Sequence, residues 1–149
     1  MSSITLRFLA EPSTVNFGGK VHGGTVMKWI DEAGYACATR WAKRSCVTVS
    51  VGSIRFQRPI LIGDLVEVEA RLAYTGRSSM NIAVEVRSGD IKTGQMNVVT
   101  DCLVVFVAVD ADGKTIPVEA WNPETPGDMA LAQRVKAHLD AARTGQLGG

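Results

Sequence analysis

Val26, Ile30, Ala33, Cys37 and Trp41 recur at steps of three and four residues, which sets them on one face of an amphipathic helix over residues 25–41. This stretch constrains the fold most, because most of the chain beyond it has a period of two instead. Val47, Val49 and Val51 alternate with Thr48 and Ser50, the mark of a strand. At Gly52 the apolar phase slips by one residue to Ile54 and Phe56, so a β-bulge is expected at 52–53. Further strands are expected at 4–9, 65–74, 79–86 and 101–109, with a turn at 75–78. The last strand is apolar at almost every position and calls for cover on both faces. The helix can supply one cover; a partner subunit is the simplest source of the other. Met129, Leu131, Val135 and Leu139 predict a second, shorter helix on the surface. One early helix followed by strands with short turns is α+β with antiparallel pairing. The reading is one domain over 1–149, with a core at about 4–110 and a tail with its helix at about 116–143.

Sixteen basic against fifteen acidic residues leave no excess charge for a nucleic-acid partner. The longest apolar run, 103–109, is far too short to span a bilayer, so no membrane partner is expected. Residues 1–10 lack a basic segment followed by an apolar block, so no leader is expected either. Cys37, Cys46 and Cys102 are odd in number and share no metal or redox spacing. They are expected as reduced, buried thiols in a cytoplasmic protein with no metal and no cofactor.

The segment with chemical content is Asn16-Phe-Gly-Gly-Lys-Val-His-Gly-Gly24, leading directly into the helix that carries Asp31. Two glycines ahead of a helix leave its first N–H groups uncrowded, and these donors have no acceptor inside the helix. The helix dipole adds partial positive charge at that end, so a carbonyl oxygen or oxyanion can be held there. Asp31 lies off the apolar stripe and can look into a cleft or interface. A carboxylate there can act as general base toward water or attack an acyl carbon itself. Each of these residues also has a bland reading: Asn16 as a turn residue, Asp31 as a solvated neighbour of Glu32, His22 as a loop anchor. Ser78 and Ser79 stand in no nucleophile motif, since Gly-x-Ser-x-Gly is absent.

The spacing Asn, six residues, Gly-Gly, six residues, Asp-Glu-Ala-Gly from Asn16 to Gly34 resembles the active-site region of hotdog-fold acyl-CoA thioesterases. Two further blocks are similar to that family: Val51-Gly-Ser-Ile-Arg-Phe-Gln-Arg-Pro-Ile60 with Gly63-Asp64, and Gly76-Arg-Ser-Ser-Met80. The resemblance implies a hotdog fold, an antiparallel sheet wrapped around one long helix, and hydrolysis of fatty acyl-CoA to fatty acid and coenzyme A. It implies Asp31 as base or nucleophile, Asn16 from a neighbouring subunit as a positioning group, and the Gly24 N–H as the carbonyl's partner. Gly76, Arg77, Ser78 and Ser79 would meet coenzyme A, with His22 and Gly23 beside the substrate. A homodimer at least, and a trimer of dimers, is the implied assembly. A hotdog hydratase or dehydratase, using His22 with Asp31, and a non-catalytic acyl-CoA-binding module are the alternatives.

Overall fold

The structure, a computed structural model, describes residues 2–12, 18–52 and 54–148, with backbone alone for 142–148. Five strands form one antiparallel sheet: β1 (Ser3–Leu9), β2 (Cys46–Val51), β3 (Leu65–Thr75), β4 (Ser79–Gly89) and β5 (Met96–Ala108). Their spatial order is β1-β3-β4-β5-β2, which leaves β1 and β2 at the edges. Helix α1 (Gly23–Ala42) lies across one face, and α2 (Pro126–Gly148) packs against β3. The expected α+β architecture is the one observed.

α1 forms where its apolar period predicts, and Val26, Ile30, Ala33, Cys37 and Ala38 are buried against the sheet. Opposite them lie the inward side chains of β3, β4 and β5: Val66, Val68, Met80, Ile82, Val84, Val104 and Phe106. Each such side chain contributes roughly 1.5–3 kcal/mol by leaving water. Gly34 decides how close helix and sheet can come. A Cβ there would stand 2.9 Å from Cε2 of Phe106, a side chain with no exposed surface. α1 ends at Lys43, whose left-handed backbone (φ 58°, ψ 35°) lets its N–H donate to the Thr39 carbonyl at 2.8 Å.

Four expectations need correction. α1 begins at Gly23, so the glycine pair forms its first turn rather than preceding it. The bulge in β2 lies between Thr48 and Ser50, where Val49 has no partner on β5, and not at 52–53; residue 53 is outside the described residues. β5 starts at Met96, five residues before the expected strand at 101–109. The 90–94 turn, closed by a Gly94 N–H to Asp90 carbonyl bond, starts the ladder among polar residues. The C-terminal helix is longer than α1, not shorter. Thr125 caps it, its Oγ1 accepting the Asp128 N–H at 3.0 Å, and Pro126 opens it. Arg71 and Asp128 pair at 2.8 Å between sheet and helix. With Val135 buried on that side, the chain itself supplies part of the outer-face cover expected of a partner.

Because Phe106 fills the place of a side chain at residue 34, Gly34→Val should destabilise the fold by about 1–3 kcal/mol. Combining it with Phe106→Leu should cost less than the sum of the two single changes. Denaturant titration of the four proteins would measure this; simple additivity would mean that the contact does not set the helix position.

Candidate active site

The start of α1 is pinned from outside. Lys20 pairs with Leu61 in an isolated antiparallel bridge, and the Val21 N–H donates to the Ile60 carbonyl at 2.8 Å. His22 caps the helix with extended backbone (φ −62°, ψ 140°), and its carbonyl accepts the N–H groups of Thr25 and Val26. Those of Gly23 and Gly24 have no acceptor within the helix, and no acidic side chain sits in the first turn. Gly24 is exposed, and the place of a Cβ on it is open space. Here the helix presents uncovered donors at its positive end. The His22 imidazole is exposed and bonds no described group, so the loop is tied down by backbone contacts instead.

Asp31 comes seven residues after Gly24. At about 100° and 1.5 Å per residue it stands on the same face, roughly 10 Å further along. Met27 and Tyr35, one turn before and after it, are exposed large apolar residues. The Asp31 carboxylate is fixed from the sheet: Oγ1 of Thr48 donates to its Oδ1 at 2.9 Å. Thr48 is the last residue before the β2 bulge. Bulges re-aim side chains next to sites, and this one separates Thr48 from the regular alternation. Sequence reasoning passed over Thr48, since a threonine among alternating valines carries no local mark of a partner seventeen residues away. Glu32, by contrast, turns outward and pairs with Lys28 across one helical turn.

Gly76, Arg77 and Ser78 form the tight connection between β3 and β4, and Ser79 opens β4. The Gly76 N–H donates to the Ser79 carbonyl at 3.0 Å, and a Cβ at residue 76 would fall 2.5 Å from the Ser79 Oγ. The Arg77 carbonyl accepts the Val118 N–H, while its guanidinium is exposed. The turn sits at the far end of α1 from Gly24. The Trp41 indole N–H reaches the Glu119 carbonyl, next to Val118. Seventeen helical residues, roughly 25 Å, separate Gly24 from Trp41. Thr48 is closer: it pairs with Phe106, which pairs with Met80, so two strand spacings, roughly 10 Å, lie between Thr48 and the first residues after the turn. Asn16 lies outside the described residues. A groove of about 900 Å³ runs between α2 and the outer sheet face and is lined by none of the expected site residues.

A family model of the thioesterase superfamily matches residues 18–95, the stretch that holds the helix start, Asp31 and the β3–β4 turn. The chain belongs to this superfamily. Among its members, an uncharacterized acyl-CoA thioester hydrolase of Haemophilus influenzae is 40% identical over 133 residues, 86% of either chain. An apo-hexameric acyl-CoA thioesterase superposes with TM-score 0.92 at 31% identity, covering 97% of this thioesterase-superfamily chain and 93% of that one. The Staphylococcus aureus acyl-CoA hydrolase, solved with butyryl coenzyme A and coenzyme A, superposes at 0.89 with 26% identity, over 99% and 90% of the two chains. That hydrolase has also been solved with an aspartate, an asparagine or a threonine replaced by alanine. Its asparagine stands fifteen positions before the aspartate and its threonine seventeen after.

The cysteines take no part in this site. All three are free thiols; burial pushes Cys37 and Cys102 up to about 11. Cys37 and Cys46 are buried as expected, whereas Cys102 is half-buried at the groove beside α2, so native protein at neutral pH should react slowly with Ellman's reagent at Cys102 and expose Cys37 and Cys46 only in denaturant. Rapid native modification of Cys37 would show its burial to be incomplete. For the carboxylate, Thr48→Val removes one hydrogen bond to a charged, exposed group. The kcat of acyl-CoA hydrolysis should fall about tenfold with KM little changed, while Thr48→Ser keeps most of the activity. A rise in KM alone would assign Thr48 to substrate binding.

Proposed function

We propose that this chain is an acyl-CoA thioester hydrolase, releasing a fatty acid and coenzyme A. The observation that carries the reading is Asp31, held by Thr48 on the same helix face as the uncovered donors at Gly24. A thioester oxygen at the Gly24 N–H gains stabilisation as negative charge develops on it. Asp31 takes a proton from the attacking water, and the C–S bond breaks to release coenzyme A thiolate, which leaves with that proton; or the carboxylate adds to the acyl carbon, expels the thiolate and forms an anhydride that water opens to the fatty acid and free Asp31. Either route needs no cofactor. Asn16 closes the constellation as a group that positions water or substrate. The fifteen- and seventeen-residue spacings of the altered residues in the Staphylococcus aureus enzyme recur here as Asn16 to Asp31 and Asp31 to Thr48, and support both assignments.

Coenzyme A is taken by Gly76, Arg77, Ser78 and Ser79, with the planar Arg77 guanidinium suited to phosphate. His22 and Gly23 line the thioester end. The reaction site is composite. Helix N–H groups point toward the N-terminus, so an oxygen bound at Gly24 moves away from the Asp31 of the same chain. Added to the roughly 10 Å along the axis, this keeps one carbonyl from touching both. A second copy with its α1 antiparallel brings its own Asp31 to the first copy's Gly24. The exposed edge strand β2, with Val47, Val49 and Val51 uncovered, supports such pairing. A homodimer is therefore the minimal unit and a trimer of dimers the proposed assembly, in keeping with the hexameric relatives. Three unpaired cysteines favour a cytoplasmic setting.

Acyl-CoA hydrolysis followed with a thiol-trapping dye should show release of coenzyme A, and Asp31→Ala should lower turnover by about 10² or more. Near-normal turnover in that variant would overturn the role of Asp31. Asn16→Ala and Asp31→Ala subunits, unfolded and refolded together, should recover up to about a quarter of wild-type activity, because mixed dimers hold one intact site. A site built within one chain would recover none.

A further inference from the structure

We infer that Phe56 sets which acyl groups the enzyme accepts, by walling off the carbon next to the thioester carbonyl; the inference rests on the hydrolase reading above. The ring lies along the helix start: a Cβ on Gly23 would sit 3.5 Å from Cε2 and 3.7 Å from Cζ of Phe56, ordinary contact distances. The residue is 47% exposed, so the ring keeps apolar surface open beside the helix start for an apolar group to rest on. Its backbone is held on both sides. The Gln57 N–H donates to the Val99 carbonyl at 2.8 Å, Ile54 packs on the core and Ile60 is buried. The ring is thus a preorganised surface rather than a loose flap.

Its direction follows from helix geometry. Gly23 and Gly34 are eleven residues apart and fall nearly in line on α1. Gly34 faces Phe106 of β5 and the Gln57 N–H bonds Val99 of the same strand, so the Phe56 ring flanks α1 on the side turned to β5. A carbonyl oxygen on the Gly24 N–H lies one residue from this ring. The carbonyl carbon carries its oxygen, the coenzyme A sulfur and the first acyl carbon in one plane at about 120° to one another, and of the two arms the apolar acyl arm is the one that an aromatic edge suits. A methylene there slides along an aromatic edge; a branch or ring drives into it. The substrate class assigned is therefore acyl groups unbranched at the carbon next to the carbonyl.

The test compares butyryl-CoA with isobutyryl-CoA, which differ only in that branch, on wild type, Phe56→Ala and Phe56→Leu. Wild type should prefer the straight chain. Phe56→Ala should shift the ratio of kcat/KM values toward the branched thioester by about tenfold or more, and Phe56→Leu by less. A loss shared equally by both substrates, an unchanged ratio, or a change of oligomer without a change of ratio would overturn the inference and assign the ring to folding or subunit contact. Should Phe56→Ala fail to fold, the Phe56→Leu ratio decides alone. Failure of wild type to release thiol from either compound would instead overturn the hydrolase reading itself.

Discussion

The approach of α1 to the sheet at Gly34 is the constraint on which the other positions depend. Interiors pack like crystals, so a ring seated where a side chain would stand leaves the helix one depth and one rotation. Phe106 belongs to the β5 strand that pairs with β2 through Thr48. One contact therefore governs both the height of Asp31 above the sheet and the place of the hydroxyl that orients it. The carboxylate is set by core packing and a single hydrogen bond, not by a loop.

The same helix divides the chemistry along its length. Its start offers donors, its middle a carboxylate, and the turn beyond its end the groups suited to a nucleotide. A rod of this length cannot fold back on itself, which is why the proposed site draws on a second copy of the helix. This accounts for an acidic side chain left between exposed Met27 and Tyr35, a setting poorly suited to a finished monomer surface.

Much of this architecture is legible in the sequence alone. The helix stripe, the strands and the 75–78 turn are set by burial, which imposes its period on the residues themselves. The glycine pair and Asp31 stand out because their types have few uses at that spacing. The features that escape detection are non-local. The pairing of β1 with β3 joins residues some sixty positions apart, and nothing near Ile4 names Ala70 as its partner. The polar start of β5 at Asn97, Thr100 and Asp101 hides a strand whose backbone pairing is secured by the preceding turn. Gly52 draws the bulge to itself, although the ladder slips at Val49, a valine that looks regular in any run of alternating residues. The Thr48 contact needs both the helix depth and that slip.

The two margins of the sheet differ in kind. β2 presents three bare valines, whereas β1 carries Arg7 tied to Glu67 and is backed by Trp29 against Phe8. The two rims are therefore not interchangeable, and the proposed pairing joins β2 to the like rim of a second copy about a two-fold axis, which ends growth at two. The proposed pairing thus uses up the β2 rims, and the proposed ring of pairs is built through surfaces other than strand borders.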